Sequence, residues 1–243
     1  MPLPAPAAPL LAPDTAALAE RLNAALPQTQ CTRCGYPDCR SYAVAMATGE
    51  APINRCPPGG AAGIGRLAQI TGGPTLPLDT AHGTEGPRLL AVIDETWCIG
   101  CTLCIKACPV DCIVGASKLM HTVIDAQCTG CELCIPVCPV DCISLVPVTG
   151  AQTGWQAWSQ PQADEARERY EFRQQRLLRE QQENDERLAA KARAKLADLA
   201  AHSQLTEPAA LDAKRAVIEA ALRRAAQKRQ AATPLPTAPT DEA

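Results

Sequence analysis

Apolar residues gather in three short β-branched runs, "LLAVID" (89–94), "HTVID" (121–125) and "ISLVPV" (143–148), and these predict strands. Helical periodicity marks "DTAALAERLNAAL" (14–26), with Asp14 or Thr15 as the expected N-cap and Pro27 beyond its end. A second helix is expected over 40–48, closed by Gly49, with Met46 on its buried side. After Gly150 the pattern turns polar, rich in Ala, Arg, Gln and Glu, and predicts two long helices, 162–201 and 208–231, with Pro161 and Pro208 near their starts. A Gly/Pro/Thr stretch before the first strand reads as a linker. The organisation expected is therefore a lead with a short helix (1–30), a small helical region (31–71), the linker (72–87), a small α+β unit (88–150) and a helical tail with a disordered end (151–243).

Cysteine usage changes that picture. Fourteen cysteines in 243 residues, beside one Phe and three Tyr, fall below the share that marks a small disulfide scaffold. They stand in tight groups two residues apart, as metal or cluster ligands do. The first basic residue is Arg21, so the Pro-interrupted start lacks the basic region of a signal peptide. No run approaches the ~18 apolar residues of a membrane span. A reducing, cytoplasmic setting with no direct membrane span is expected, where thiolates stay available.

The strongest signal is a repeat. Residues 98–113, "CIGCTLCIKACPVDCI", match 128–143, "CTGCELCIPVCPVDCI", at 12 of 16 positions, with every cysteine preserved. Each half carries C-x2-C-x2-C-x3-C-P, the bacterial two-cluster spacing. Three cysteines at two-residue intervals let a loop wrap three corners of a cubane, and Gly100 and Gly130 allow close backbone approach. The fourth, before Pro109 or Pro139, is expected to start a short helical turn and reach the other cubane. Cys112 and Cys142 exceed this need and read as small buried hydrophobes. A further quartet, Cys31, Cys34, Cys39 and Cys56, would close a tetrahedral thiolate site, and its spacing leaves zinc and a [4Fe-4S] cluster both open.

Residues 90–147 resemble the two-[4Fe-4S] ferredoxin family. That resemblance implies a pseudo-twofold α+β fold, one cluster on Cys98, Cys101, Cys104 and Cys138, and another on Cys108, Cys128, Cys131 and Cys134. Over a longer span, about residues 17–148, "QTQCTRCGYPDCR…NRCPPGG" followed by the repeat is similar to the B subunit of the Rnf electron-transport complex. That family joins a four-Cys [4Fe-4S] domain to the two-cluster domain, which implies a third cluster on Cys31, Cys34, Cys39 and Cys56. It also implies redox protein partners, among them membrane subunits that would hold the chain at the inner face of the cell membrane. Family members usually begin with a membrane-anchoring helix, which is not expected here, and the tail lies outside the shared pattern. A free-standing polyferredoxin serving another reductase, and a zinc-stabilised interaction module, are the competing readings.

Charge and motif searches exclude most else. Residues 1–160 hold 8 Lys and Arg against 12 Asp and Glu, while 161–231 hold 15 against 12. The tail's basic residues interleave with acidic ones and lack an aromatic platform, so nucleic acid is not an expected partner. "GIGRLA" (63–68) follows no strand and gives no dinucleotide site. His82, His121 and His202 stand alone in sequence and read as linker, strand and surface residues, and no independent catalytic site emerges. Trp155 and Trp158 are expected to pack the tail against the α+β unit. With no cluster ligand beyond 150, truncation after Gly150 is expected to leave every cluster assembled.

Overall fold

A computed structural model describes residues 12–231, and side chains to 227. The Pro-rich lead before residue 12 and the disordered end expected for the tail lie outside the described residues. The chain divides at Arg173 into two compact units, and the architecture is mixed: helices, two small antiparallel sheets and long C-terminal helices.

The first unit begins with α1 (Pro13–Ala24). The expected Asp14 or Thr15 cap gives way to Pro13 at the first helical turn, where its missing N–H costs nothing and its fixed φ favours the helix. α2 (Cys39–Ala47) starts at Asp38, whose carboxylate accepts from Ser41 N at 2.6 Å, satisfying a terminal donor. α3 (Gly60–Thr71) ends at left-handed Gly72 and contains the "GIGRLA" segment, with Ile64, Leu67 and Ala68 buried. Leu22, Leu26, Tyr42, Ala43, Met46 and Leu67 form the core of this region. Tyr42 is fully buried because its hydroxyl is satisfied: it donates to Pro52 O at 2.7 Å and accepts from Arg55 N at 3.0 Å.

Residues 72–87, expected as a linker, are tied down along their length. Asn54 Nδ2 donates to Pro77 O at 2.7 Å, His82 Nδ1 lies 3.0 Å from Arg33 O, and the Glu85 carboxylate accepts from Ala61 N in the first turn of α3 at 2.8 Å.

β1 (Leu89–Ile93) pairs antiparallel with β4 (Ile143–Pro147), and β2 (Ile113–Val114) with β3 (Thr122–Val123). The thirty-residue repeat of the sequence is also a repeat of register: the pair Ile113–Val123 shifts onto Ile143–Ile93, and Val114–Thr122 onto Ser144–Val92. One element breaks it. α4 (Leu103–Ala107) follows the first cysteine loop, but the same place after the second is only a turn. There Pro136 replaces Lys106, whose N–H bonds Thr102 O at 3.2 Å; a proline has no such donor.

Gly100 and Gly130 serve a purpose beyond the one expected. Both hold positive φ (+69° and +64°), and a Cβ on Gly130 would stand 2.3 Å from Leu89 O, against backbone. Gly49 also has positive φ (+77°) but open space around it. Gly130→Ala is therefore expected to destabilise by about 3 kcal/mol and Gly49→Ala by only about 1, from left-handed strain with and without overpacking. Paired denaturant titrations of the two variants check this.

The tail begins inside the first unit. Residues 154–157 form a 3-10 turn, Trp155 N donates to Gly59 O at 2.8 Å, and the Arg66 guanidinium of α3 lies 3.9 Å over the Trp155 ring. Trp155 thus packs on the four-Cys region, while Trp158 lies under Arg88 of the α+β region at 5.5 Å. α5 (Gln160–Ala197) contributes residues to 173 to this unit. In the second unit, the rest of α5 carries the ion pairs Arg176–Glu180 (2.7 Å) and Arg179–Glu183 (3.9 Å) at i,i+4, and α6 (Pro208–Ala231) carries Glu219–Arg223 (3.8 Å). These are the contacts of a solvated helical surface. Among the described residues, no helix is long and apolar enough to cross a membrane.

Candidate metal centres

Two cavities lie in the α+β region, and each draws cysteines from both halves of the repeat. The first is lined by Cys108, Cys128, Cys131 and Cys134, with Cys112, Val110 and Ile113. The second is lined by Cys98, Cys101, Cys104 and Cys138, with Cys142 and His121. The fourth cysteine of each motif therefore stands with the trio of the other. It does so from a turn and not from a helix: Cys108 closes α4, and Pro109–Val110 and Pro139–Val140 are turns.

The loops that carry these cysteines hold an unusual backbone. Thr102 and Glu132 (φ 64° and 67°) and Asp111 and Asp141 (φ 51° and 50°) are left-handed at equivalent places in the two halves. Left-handed residues alternating with ordinary ones turn successive N–H groups inward, a concavity that suits an anionic sulfide core. The donor set is thiol only. Among the described residues, no group of three or more Cys, His, Asp or Glu is placed to hold a single metal ion; the thiols ring a space instead. Soft sulfur donors around such a space fit an iron–sulfur core and do not fit a hard cation.

The N-terminal quartet is equally enclosed. Cys31, Cys34, Cys39 and Cys56 are each 8% exposed, and their charges act on one another across the site. A ladder of buried amides that cysteine spacing does not reveal supports them: Asn23 Oδ1 accepts from Gln28 at 3.0 Å, Gln28 Oε1 from Gln30 at 2.9 Å, and Gln30 Oε1 from Cys39 N at 2.9 Å. Gln28, Gln30 and Thr32 are again left-handed. This loop meets the second motif directly, through an ion pair between Arg33 and Glu132 and a bond from Thr129 Oγ1 to Thr29 O at 3.1 Å.

α5 reaches both regions. Arg169 donates to Val110 O at 3.0 Å and Asp111 O at 3.4 Å, bracing the turn between Cys108 and Cys112, and Arg173 pairs with Asp111 at 3.3 Å. Tyr170 donates to Asp38 Oδ2 at 3.0 Å, beside Cys39. Cys112 and Cys142 are buried, as expected of small hydrophobes, and also touch sulfur: Cys108 Sγ to Cys112 Sγ is 3.4 Å, and Cys138 Sγ to Cys142 Sγ is 3.5 Å. The Cys112 thiol holds Cys108 and Cys128 below the ordinary thiol range by hydrogen bonding to their thiolates.

Burial acts the other way on most of the set. It pushes Cys131 and Cys134 up to about 12 from an ordinary 9.0, and raises Cys39 and Cys56. In the metal-free protein these folded thiols keep protons that the unfolded chain releases, so their stabilisation is present below pH 9.0 and is lost as pH rises toward 12. The depressed Cys108 and Cys128 act in the opposite sense and only below that window. Metal-free protein is expected to melt at a lower temperature at about pH 10.5 than at about pH 8, and metal loading, which releases the same protons, to be favoured by the same rise. Thermal melts and loading titrations at the two pH values check both signs.

Comparison with known proteins agrees with the site. Residues 26–58 match the family described as "Putative Fe-S cluster", and 91–145 match "4Fe-4S dicluster domain". The B subunit of the ion-translocating oxidoreductase complex of Thiobacillus denitrificans is 60% identical over 144 residues, 59% of this chain and 76% of the relative. Its counterpart in Azoarcus sp. is 57% identical over 144 residues, 59% of this chain and 78% of the relative. That of Alkalilimnicola ehrlichii is 56% identical over 152 residues, 62% and 81% of the two chains. Identity this high, across three quarters or more of each relative, shows that the chain belongs to the family of B subunits of the ion-translocating oxidoreductase complex, the Rnf complex.

Proposed function

We propose that the chain relays single electrons through three [4Fe-4S] clusters, as the iron–sulfur subunit of an Rnf-type ion-translocating complex. The observation that carries this reading is the pair of thiol-lined cavities, each drawing three cysteines from one motif and one from the other. Cys98, Cys101, Cys104 and Cys138 hold one cluster, Cys108, Cys128, Cys131 and Cys134 a second, and Cys31, Cys34, Cys39 and Cys56 the third. Residues 88–150 make the two-cluster, ferredoxin-type unit and 31–71 the single-cluster domain. Such a cluster, when bound, accepts and returns one electron with little rearrangement.

The chain's own residues supply the surroundings. Buried thiolates anchor each core, apolar Val110, Val140, Ile93 and Ile143 exclude water from the cavities, and left-handed loop residues turn N–H groups toward sulfur. The Arg33–Glu132 pair and the Thr129–Thr29 bond join the N-terminal loop to the second motif loop. With clusters bound, that contact would place the N-terminal site beside the Cys108 site, which adjoins the Cys98 site within the repeat, and so would give electrons a path between them. Partners are the other subunits of the complex and its redox donors and acceptors, and the chain sits at the inner face of the membrane through them. Stepwise reductive titration of anaerobically loaded protein, followed by visible bleaching and electron paramagnetic resonance, tests the reading. It is expected to take up about three electrons per chain, one for each cluster; uptake of two or fewer contradicts it.

A further inference from the structure

His121 stands alone in sequence, yet it is 1% exposed and lines the cavity of Cys98, Cys101, Cys104 and Cys138. Its ring Nδ1 lies 3.3 Å from Cys104 Sγ, and its backbone N–H donates to Cys98 Sγ at 3.4 Å. The ring's place is prepared by Gly115, where a Cβ would stand 2.4 Å from His121 Cδ2. The exchange of halves that superposes the two strand pairs carries His121 onto Ala91, which lines the other cavity, and among the described residues no histidine lines that cavity. The two halves, alike in cysteines and register, differ here.

We infer that His121 donates a hydrogen bond from Nδ1 to Cys104 Sγ and thereby holds the potential of the Cys98/Cys101/Cys104/Cys138 cluster above the value its symmetric counterpart would give it. A cysteine that ligates iron has no proton to offer, so the 3.3 Å contact is a hydrogen bond only with the proton on Nδ1. The tautomer is thus set by the ligand, and Nε2, buried with no hydrogen-bond partner among the described residues, is left bare. Reduction adds negative charge that spreads onto the ligand sulfurs, and a donor aimed at one of them stabilises the reduced state more than the oxidised state. Only an electron enters in this step; no bond is made or broken at His121. The repeat's two clusters are then unequal, and electrons settle preferentially at the Cys98 end of the relay.

The inference rests on the assignment of those four cysteines to one cluster, and iron analysis of loaded wild-type protein tests that assignment separately. The experiment compares wild type, His121→Leu and His121→Asn as loaded full-length chains, with midpoint potentials followed by electron paramagnetic resonance. His121→Leu is expected to lower one potential by about tenfold in the one-electron equilibrium constant, ~59 mV, leaving the other two unmoved at full iron content. His121→Asn, which keeps an N–H near the Nδ1 position, is expected to recover at least half the shift. Unchanged potentials in His121→Leu, or equal shifts in all three clusters, overturn the inference. Should His121→Leu fail to load, nitrogen NMR of histidine-labelled, oxidised wild type decides: a proton on Nδ1 supports the inference, and a proton on Nε2 overturns it.

Discussion

Cys108→Ser is expected to remove roughly one third of the bound iron and to silence the cluster held by Cys128, Cys131 and Cys134, although Cys108 lies nearer in sequence to the other trio. The cavity it lines belongs to the second motif. Cys138→Ser should do the reverse and spare that cluster while disturbing the one on Cys98, Cys101 and Cys104. Cys112→Ser and Cys142→Ser serve as controls, since both thiols are buried beside a ligand sulfur at 3.4 and 3.5 Å without completing either quartet. They should keep full iron content. Magnetic resonance of the reduced variants separates the two clusters, and loss of the same cluster from Cys108→Ser and Cys104→Ser would sink the crossed arrangement.

Ending the chain after Gly150 is expected to leave the cysteine-bearing unit less stable, by about 4 kcal/mol or more, than ending it after Arg173. The first deletion removes Trp155 from beneath Arg66, the bonds of Arg169 to Val110 O and Asp111 O, the Arg173–Asp111 pair, and the Tyr170–Asp38 bond. Hydrogen bonds with a charged partner contribute about 1.5–3 kcal/mol each, a cation over an aromatic ring about 0.5–1, and neighbouring terms do not simply add. The loosened elements carry Cys39 and Cys108, so the shorter protein should also load iron less completely. For a unit of this size the loss corresponds to a fall of about 10 °C in melting temperature. Melts and iron analysis of both truncations check it; equal behaviour would show that the first turns of α5 add nothing to the unit.

Much of this was legible in the sequence, because cysteine spacing acts locally. A loop of C-x2-C-x2-C turns on itself whatever lies around it, and a thirty-residue repeat with 12 of 16 identities announces two matching halves. Strand positions follow from β-branched runs, and α6 has the expected bounds. What escapes the sequence depends on tertiary contact. Nothing near His121 in sequence marks it as a neighbour of Cys104, seventeen positions away. The ladder of Asn23, Gln28 and Gln30 reads as ordinary polar surface until the fold buries all three below 4% exposure. Residues 151–173 read as tail because they hold no cysteine, but Arg169, Tyr170 and Arg173 bond to groups 58 to 132 positions distant. The missing helix after the second motif is the opposite case: Pro136 in place of Lys106 carries its own explanation.

Iron, acid-labile sulfide and zinc analysis of the full chain, loaded anaerobically, tests the presence of three clusters most directly. Roughly twelve iron and twelve sulfide per chain are expected, with zinc absent. Saturation near about eight iron with one zinc would contradict the three-cluster relay, because the quartet of Cys31, Cys34, Cys39 and Cys56 would then be a structural thiolate site and not the third station.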